Sequence, residues 1–414
     1  MSSLYSKLFL CIFLSLAVFL AVYSKSFWYP HAQKRPRLAL LLGFFLLRIL
    51  PFIIIFILLD FDARGDVSMF YDSVQGALQG GWVYRDFDTA YSPLFPYVIS
   101  LPVLLWNSAK SITLMMILVE GVVLYLTLRW SQHPEGLFRA ILYLLLPAPF
   151  VYSVLGGQED IWMWGFLVTG LLLYQKNQHA FLQGMLMAIG LLVTKALFVL
   201  ILPAIWLHQK NKVAWMAGAL AIGIPALIIL YSHIGLEFLE PIQQANDPRL
   251  PNIWSVLHPI TNGWVPLGPK WINWLGLSTL IGLSFWVTWK LRKSSTNHFI
   301  PTLFLSVFVW LMLIQQSSLT NYSYNYMVLI PFIWRKTFTP RFWVVFLTLN
   351  FALVMQQPLW WGLDMIYFHN WNDLKPTLHA LEYFLEVIVV AGLIWLLREI
   401  ILQFWQNDYS KYTA

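Results

Sequence analysis

Leu38-Ala-Leu-Leu-Leu-Gly-Phe-Phe-Leu-Leu-Arg-Ile-Leu-Pro-Phe-Ile-Ile-Ile-Phe-Ile-Leu-Leu59 decides the fold: 22 consecutive residues carry a single charge, Arg48. An α-helix rises about 1.5 Å per residue, so roughly 20 apolar residues cross the ~30 Å hydrocarbon core of a bilayer, and this run is long enough to do so. It is followed at once by a polar island, Asp60 to Pro96. The island holds Asp60, Asp62, Asp66, Asp72, Asp86 and Asp88, six of only 19 acidic residues in 414. In a chain otherwise built for lipid, such an island is where chemistry is to be sought.

Composition extends the lipid reading to the whole chain. With 59% hydrophobic residues, 11% charged, 22 Trp and a mean hydropathy of +0.66, the sequence cannot clothe a soluble protein of this size. Further spans are expected near 7–23, 111–128, 140–155, 161–175, 180–193, 197–208, 213–231, 271–289, 299–316, 322–334, 342–357 and 379–397. Backbone polar groups in lipid must be satisfied within helices, so the expected fold is all-α and polytopic, a single integral membrane domain over 1–414 with about 11–14 spans. Segment 93–107 is apolar, but its opening Ser92-Pro-Leu-Phe-Pro96 and its length point to an interfacial or re-entrant helix.

Lys and Arg are retained on the cytoplasmic side of a membrane, which orients the parse. The loops assigned inside are 24–37, 129–139, 176–179, 209–212, 290–298, 335–341 and the C-terminal tail, and they hold 17 of the 26 basic residues. The larger polar loops, 60–110, Gly156 to Asp160, 234–270 and Pro358 to Thr377, then face the other side. This parity requires 93–107 not to cross and 180–208 to turn back at Thr194-Lys195-Ala196. The net charge of +7 therefore reflects topology rather than a nucleic-acid partner. Residues 1–23 lack a basic leader and a small-residue cleavage site and are read as a first span. The lone Cys11 excludes an intramolecular disulfide framework, and the sequence has no nucleotide-phosphate loop and no His/Cys metal cluster.

Within the first outer loop, Asp66 follows Gly65 seven residues after the apolar run ends, so its carboxylate is expected at the outer interface. A carboxylate there is placed to take a proton from a sugar or lipid hydroxyl. A helix over 66–80 would put Asp66, Met69, Phe70 and Ser73 on one face, an amphipathic surface helix with its acid at the start. Helix capping and loop solvation are the plainer reading of any one of the six acids.

Gly65-Asp66, Gly80-Gly81-Trp82-Val83-Tyr84-Arg85 and Tyr91-Ser92-Pro93-Leu94 resemble the first luminal loop of GT-C glycosyltransferases, multi-span enzymes that use polyprenyl-phosphate sugars. Within that group the loop is most similar to the GPI mannosyltransferase I type, with its Asp-x-Asp-Tyr and later Tyr-x-x-x-x-x-x-Tyr-Thr-Pro-Leu-Leu. Counted back from Tyr84, the second acid of that pair falls on Asp66 and the first on Arg64. The resemblance implies Asp66 as catalytic base of an inverting transfer, with Asp72, Asp86 and Asp88 as supporting acids. Replacement of the first acid by Arg64 removes one carboxylate from a divalent-metal site, so no cofactor is certain and a divalent metal stays open as an alternative.

Gly156-Gly157-Gln158-Glu159-Asp160, Thr194-Lys195 and Pro203 are similar to later features of the same group. There Gln158 and Asp160 would contact substrate and Lys195 would bind the donor phosphate. A Lys at such a depth is costly unless it meets an anion. Its alternative is a snorkelling or turn residue. Arg85 is a second phosphate candidate because its guanidinium presents several donors, with a salt bridge to Asp86 or Asp88 as the alternative. Tyr84, Tyr91, Trp254, His258, Asn321 and Tyr322 are candidate sugar contacts, since aromatic rings stack on sugar faces and amides read hydroxyls. Interface anchoring competes for the aromatic residues and structural hydrogen bonding for His258.

The leading expectation is a glycosyltransferase that moves one sugar, with mannose suggested by the resemblance, from a polyprenyl-phosphate donor to a glycan, lipid or protein acceptor. It would work on the outer side of a bacterial-type plasma membrane. A transporter or flippase would call for charges deep in spans and inverted halves, but only Arg48, Glu120, Glu382 and Glu386 qualify. A polysaccharide polymerase or ligase would call for an Arg-rich outer loop, whereas 234–270 carries only Arg249.

Overall fold

A computed structural model describes residues 2–177, 179–239, 247–334 and 339–405. Those residues form an all-α polytopic membrane protein with no strand beyond one isolated bridge, Val83 to Phe87. Six helices are long and apolar enough to cross a bilayer: Leu4–Tyr23, Pro36–Leu58, Ala109–Ser131, Lys212–Ile234, Thr296–Ile314 and Pro340–Gly362. Gly136–Leu145 and Pro147–Leu155 make a seventh if counted as one span bent by 65°. Thr296–Ile314 is the central post, with 83% of its apolar window buried, whereas Lys212–Ile234 buries 11% and turns Leu220, Ile224, Leu227 and Ile228 outward as a lipid-facing side.

Several expected boundaries shift for identifiable reasons. The inner loop 24–37 contains a helix, Lys25–Gln33, with Pro30 inside it; Tyr29 and Trp28 pack on Phe138, which draws the segment against the bundle. The expected span 322–334 is instead three short pieces, Thr320–Ser323, Tyr324–Met327 and Leu329–Ile333, almost wholly buried inside the protein. Segment 93–107 is an 11-residue helix, Phe95–Leu105, too short to span. The inner segment 335–341 is only partly described, and 240–246 of the outer loop and the tail 406–414 lie outside the described residues.

The turn at Thr194-Lys195 does reverse the chain. Helices Ala180–Val193 and Lys212–Ile234 touch backbone to backbone: a Cβ on Gly184 would lie 1.9 Å from the Trp215 oxygen, and one on Gly218 would lie 1.9 Å from the Phe181 oxygen. Residues 215–218 thus flank 181–184, while Lys195 at the opposite end of the helix bonds Asp160. The segment 196–208 must therefore run back alongside, as a 3₁₀ turn Ala196–Leu200 and a helix Leu202–His208.

Two proline breaks share one remedy. Pro51 has no N–H for the Leu47 carbonyl, and at Pro147 the extended Leu146 (ψ 134°) bends the chain and frees the Leu144 carbonyl. Arg48 Nη1 donates to both, at 3.0 and 2.9 Å, while its Nε and Nη2 pair with Glu120 at 2.7 and 2.9 Å. Glu120 also accepts from Tyr143 (2.8 Å) and Ser153 (2.6 Å). Arg48, Glu120, Tyr143, Leu144 and Ser153 are each 0% exposed, and the ion pair is backed by further hydrogen bonds on both partners, the condition under which intramembrane charges persist.

Candidate functional site

Asp66 opens the helix Asp66–Leu78, after Gly65 at φ 68°. Its buried face is Val67, Phe70 and Val74; Met69, expected on the same face as Asp66, is 56% exposed. The helix is laid down by an aromatic trio, with Phe70 4.9 Å from Tyr91 and 5.1 Å from Phe95, ring to ring. Ser92 and Leu94 donate backbone hydrogen bonds to the carbonyls of Thr194 and Leu192. The run Tyr91-Ser-Pro-Leu94 is therefore a splint between the loop helix and the Thr194-Lys195 turn.

The turn 156–160 is pressed onto the same helix. Gly157 has φ 54°, and a Cβ there would lie 2.4 Å from Val67, so only glycine lets the turn settle against the first turn of the loop helix. Its neighbour Gln158 then reaches Asp66: Nε2 donates to Oδ2 at 3.0 Å. Asn321, from the buried 320–323 turn, donates to Gln158 Oε1 at 2.6 Å. A hydrogen-bonded line thus runs from Asn321 through Gln158 to Asp66. It orients one carboxylate oxygen of a half-exposed residue.

Behind this line sits a buried charged group. Lys195 Nζ is 2.7 Å from Asp160 Oδ1 and 2.8 Å from Glu159 Oε1, and Asn325 Nδ2 lies 3.4 Å from the same Asp160 oxygen. The Lys195 ammonium also lies 5.3 Å from the centre of the Tyr91 ring and 4.8 Å from that of Tyr322, within cation–π range. Burial pushes both carboxyl groups up, Glu159 to about 7, with Lys195 opposing the rise in each case. Burial alone would depress Lys195, but Asp160 and Glu159 hold its ammonium well above the ordinary value. One cation faces two carboxylates, so the group is one charge short of neutral unless Glu159 takes a proton. Glu159 Oε2, Asp160 Oδ2 and Asn321 Oδ1 are buried with no hydrogen-bond partner among the described residues.

Of the residues expected from sequence, Asp66, Tyr91, Gln158, Asp160, Lys195, Asn321 and Tyr322 therefore meet at one end of the bundle. Others do not join them. Asp72, Asp86 and Asp88 are exposed and, among the described residues, bond to none of this set. Arg85 forks onto Asp86 at 2.9 and 2.8 Å, and that partner is held down to about 2 by Arg85 and by the Trp82 amide. Tyr84 is buried and donates to the Tyr91 carbonyl. Trp254 donates to the Ile314 carbonyl at 2.6 Å, and His258 lies between Val265 O (2.6 Å) and His369 Nδ1 (2.9 Å), both in a neighbouring cluster.

Glu159 and Asn325 were not among the expected site residues. Glu159 adjoins Asp160, and Asn325 follows Asn321 by one helical turn, so local spacing held the signal for both. Among the described residues no three of His, Cys, Asp and Glu are grouped to ligate a metal. Compared with protein-family models, curated proteins and solved structures, the chain has no significant match to any of them.

Proposed function

We propose that this integral membrane protein is a glycosyltransferase of the GT-C kind, moving a sugar from a polyprenyl-phosphate donor to a hydroxyl acceptor on the extracytoplasmic side of a bacterial-type plasma membrane. The observation that carries the reading is the hydrogen-bonded line Asn321, Gln158, Asp66. Through it Gln158 engages one oxygen of a half-exposed carboxylate and leaves the other for an incoming hydroxyl.

In this reaction Asp66 accepts the acceptor's O–H proton as the acceptor oxygen bonds to the anomeric carbon of the sugar. The bond from that carbon to the phosphate oxygen breaks on the opposite face, with inversion, and the electron pair leaves on polyprenyl phosphate. Lys195 is already shared by two carboxylates and offers no net positive field to a phosphate, so it is assigned the role of holding Asp160 and Glu159 in place behind Tyr91 and Tyr322. The phosphate charge is assigned to Arg64, an exposed guanidinium two residues before Asp66 with no partner among the described residues.

The test is incubation of the purified protein with a panel of polyprenyl-phosphate sugars and short-chain glycan or lipid acceptors. Release of polyprenyl phosphate with formation of an inverted glycoside from at least one donor is expected. Absence of transfer from every donor, by protein that remains folded, would sink the reading.

A further inference from the structure

The helix Pro340–Gly362 reaches the candidate site near its end, where Gln357 accepts from Thr320 at 3.2 Å beside Asn321. Arg341, at its start, lies about 24 Å away along the helix axis at 1.5 Å for each residue. There the last turns of Thr377–Ile400 lie beside it, and a cavity of about 310 Å³ opens between the two helices. Three aromatic rings wall the cavity. Trp334 lies 5.4 Å from Phe342 and 6.2 Å from Trp395, ring to ring, and Phe342 lies 5.8 Å from Trp395. Arg341 and Arg398, both exposed, line the same cavity, together with Glu399.

This lining is short of negative charge. Arg398 Nη1 is 3.1 Å from Glu399 Oε1, and Gln403 donates to the other oxygen of Glu399 at 2.9 Å, so both oxygens of that carboxylate are engaged. Arg341 has no hydrogen-bond or ion-pair partner among the described residues. Two guanidinium groups thus share one carboxylate, the reverse of the balance around Lys195. From the arginines toward the middle of the bundle, the exposed side of each helix turns apolar. Val344 follows Arg341 by three residues and is 55% exposed, and Ile394 precedes Arg398 by one turn and is 49% exposed.

A ligand that suits both parts has an anionic head and an apolar tail. We propose that this cavity binds an anionic phospholipid, with its phosphodiester held by Arg341 and Arg398 and its acyl chains laid over Val344 and Ile394. Guanidinium groups present paired donors to phosphate oxygens, tryptophan favours the level of the head groups, and basic pockets between membrane helices take such heads. A free phosphate would use the arginines and leave the apolar stripe without a role. The proposal is independent of the glycosyltransferase reading, because the lipid is bound and not consumed.

The test uses purified full-length protein in phosphatidylcholine nanodiscs that contain a small fraction of phosphatidylglycerol with a diazirine on the first carbons of one acyl chain. Light should attach this lipid to the stretch 391–402, read by peptide mass spectrometry. Unlabelled phosphatidylglycerol should suppress that labelling, whereas added phosphatidylcholine and inorganic phosphate should not. Arg341→Gln should weaken binding about fivefold, the contribution of one basic residue near an anionic surface. Lys293→Gln, an exposed cation away from the cavity, should leave it unchanged. Glu399→Gln releases Arg398 and should tighten binding, a direction that loss of folding cannot mimic. Labelling spread evenly over the exposed helices, equal suppression by phosphatidylcholine, suppression by inorganic phosphate, or equal weakening in Arg341→Gln and Lys293→Gln each overturns the proposal. The competition in the wild type decides the matter even if a variant fails to fold.

Discussion

Gln158 donates to the carboxylate of Asp66 at 3.0 Å although 92 residues separate them in the chain. The contact exists because glycine at 157 lets the 156–160 turn lie against the first turn of the loop helix, where any Cβ would strike Val67.

The first prediction follows from that contact. Asp66→Asn keeps the size of the side chain and abolishes its basicity, so turnover in a defined donor and acceptor assay should fall by about 10²–10⁴-fold. Asp88→Asn, on an exposed part of the same loop, should leave turnover close to wild type. Retention of a tenth or more of wild-type turnover by Asp66→Asn means that Asp66 is not the base.

Glu159 gives a pH signature. Its folded value of about 7 lies above the ordinary 4.5, so between those limits the folded protein holds a proton that the unfolded chain has released. Stability should therefore fall as pH rises from about 4.5 through about 7, then level off. Asp160 shifts in the same direction and adds to the slope. Tryptophan fluorescence during thermal unfolding should show a shallower decline for Glu159→Gln than for wild type, and equal slopes would discard this account.

The buried pair Arg48–Glu120 should behave as a unit. Removing one partner strands a charge in the bundle, at a cost of about 3–5 kcal/mol, so Arg48→Met and Glu120→Gln should each be strongly destabilised. Because Arg48 also serves the Leu47 and Leu144 carbonyls, Glu120→Gln should be the milder of the two. Cys11, buried and the only cysteine, makes a thiol-reactive dye a direct reporter of unfolding, and an unchanged midpoint in both variants would contradict the assignment.

Sidedness can be read with single cysteines placed in a Cys11→Ala background. Cysteine at Gln79, exposed after the loop helix, should react with an impermeant maleimide from the extracytoplasmic side, and cysteine at Lys293 only after the membrane is opened. Reaction at position 79 only from the cytoplasm would invert the scheme, taking the proposed donor with it.

Local pattern made much of this architecture legible. The start of the loop helix at Asp66, the shortness of 93–107 and the reversal at Thr194-Lys195 follow from residue types that act over a few positions: an acid after glycine, closely spaced prolines, a polar pair between apolar runs. The 320–333 segment misled because its apolar content suits the interior of a protein as well as lipid, and only packing distinguishes the two. Helical period puts Met69 on the face of Asp66, but which side chains of that face are covered depends on tertiary contacts such as those of Phe70 with Tyr91 and Phe95, which the period does not contain. The pairing of Lys195 with both Glu159 and Asp160 likewise depends on residues 35 or more positions away.

Arg48 has a consequence for biogenesis. It lies near the middle of Pro36–Leu58, where a lone arginine disfavours entry into the bilayer by about 2.5–3.5 kcal/mol on insertion scales. Its counter-charge, Glu120, arrives 72 residues later in synthesis, and its second carbonyl partner, Leu144, later still. Arg48 is therefore uncompensated while Pro36–Leu58 and the acidic loop emerge, and the charge can be neutralised only once Ala109–Ser131 has been made and packs beside it.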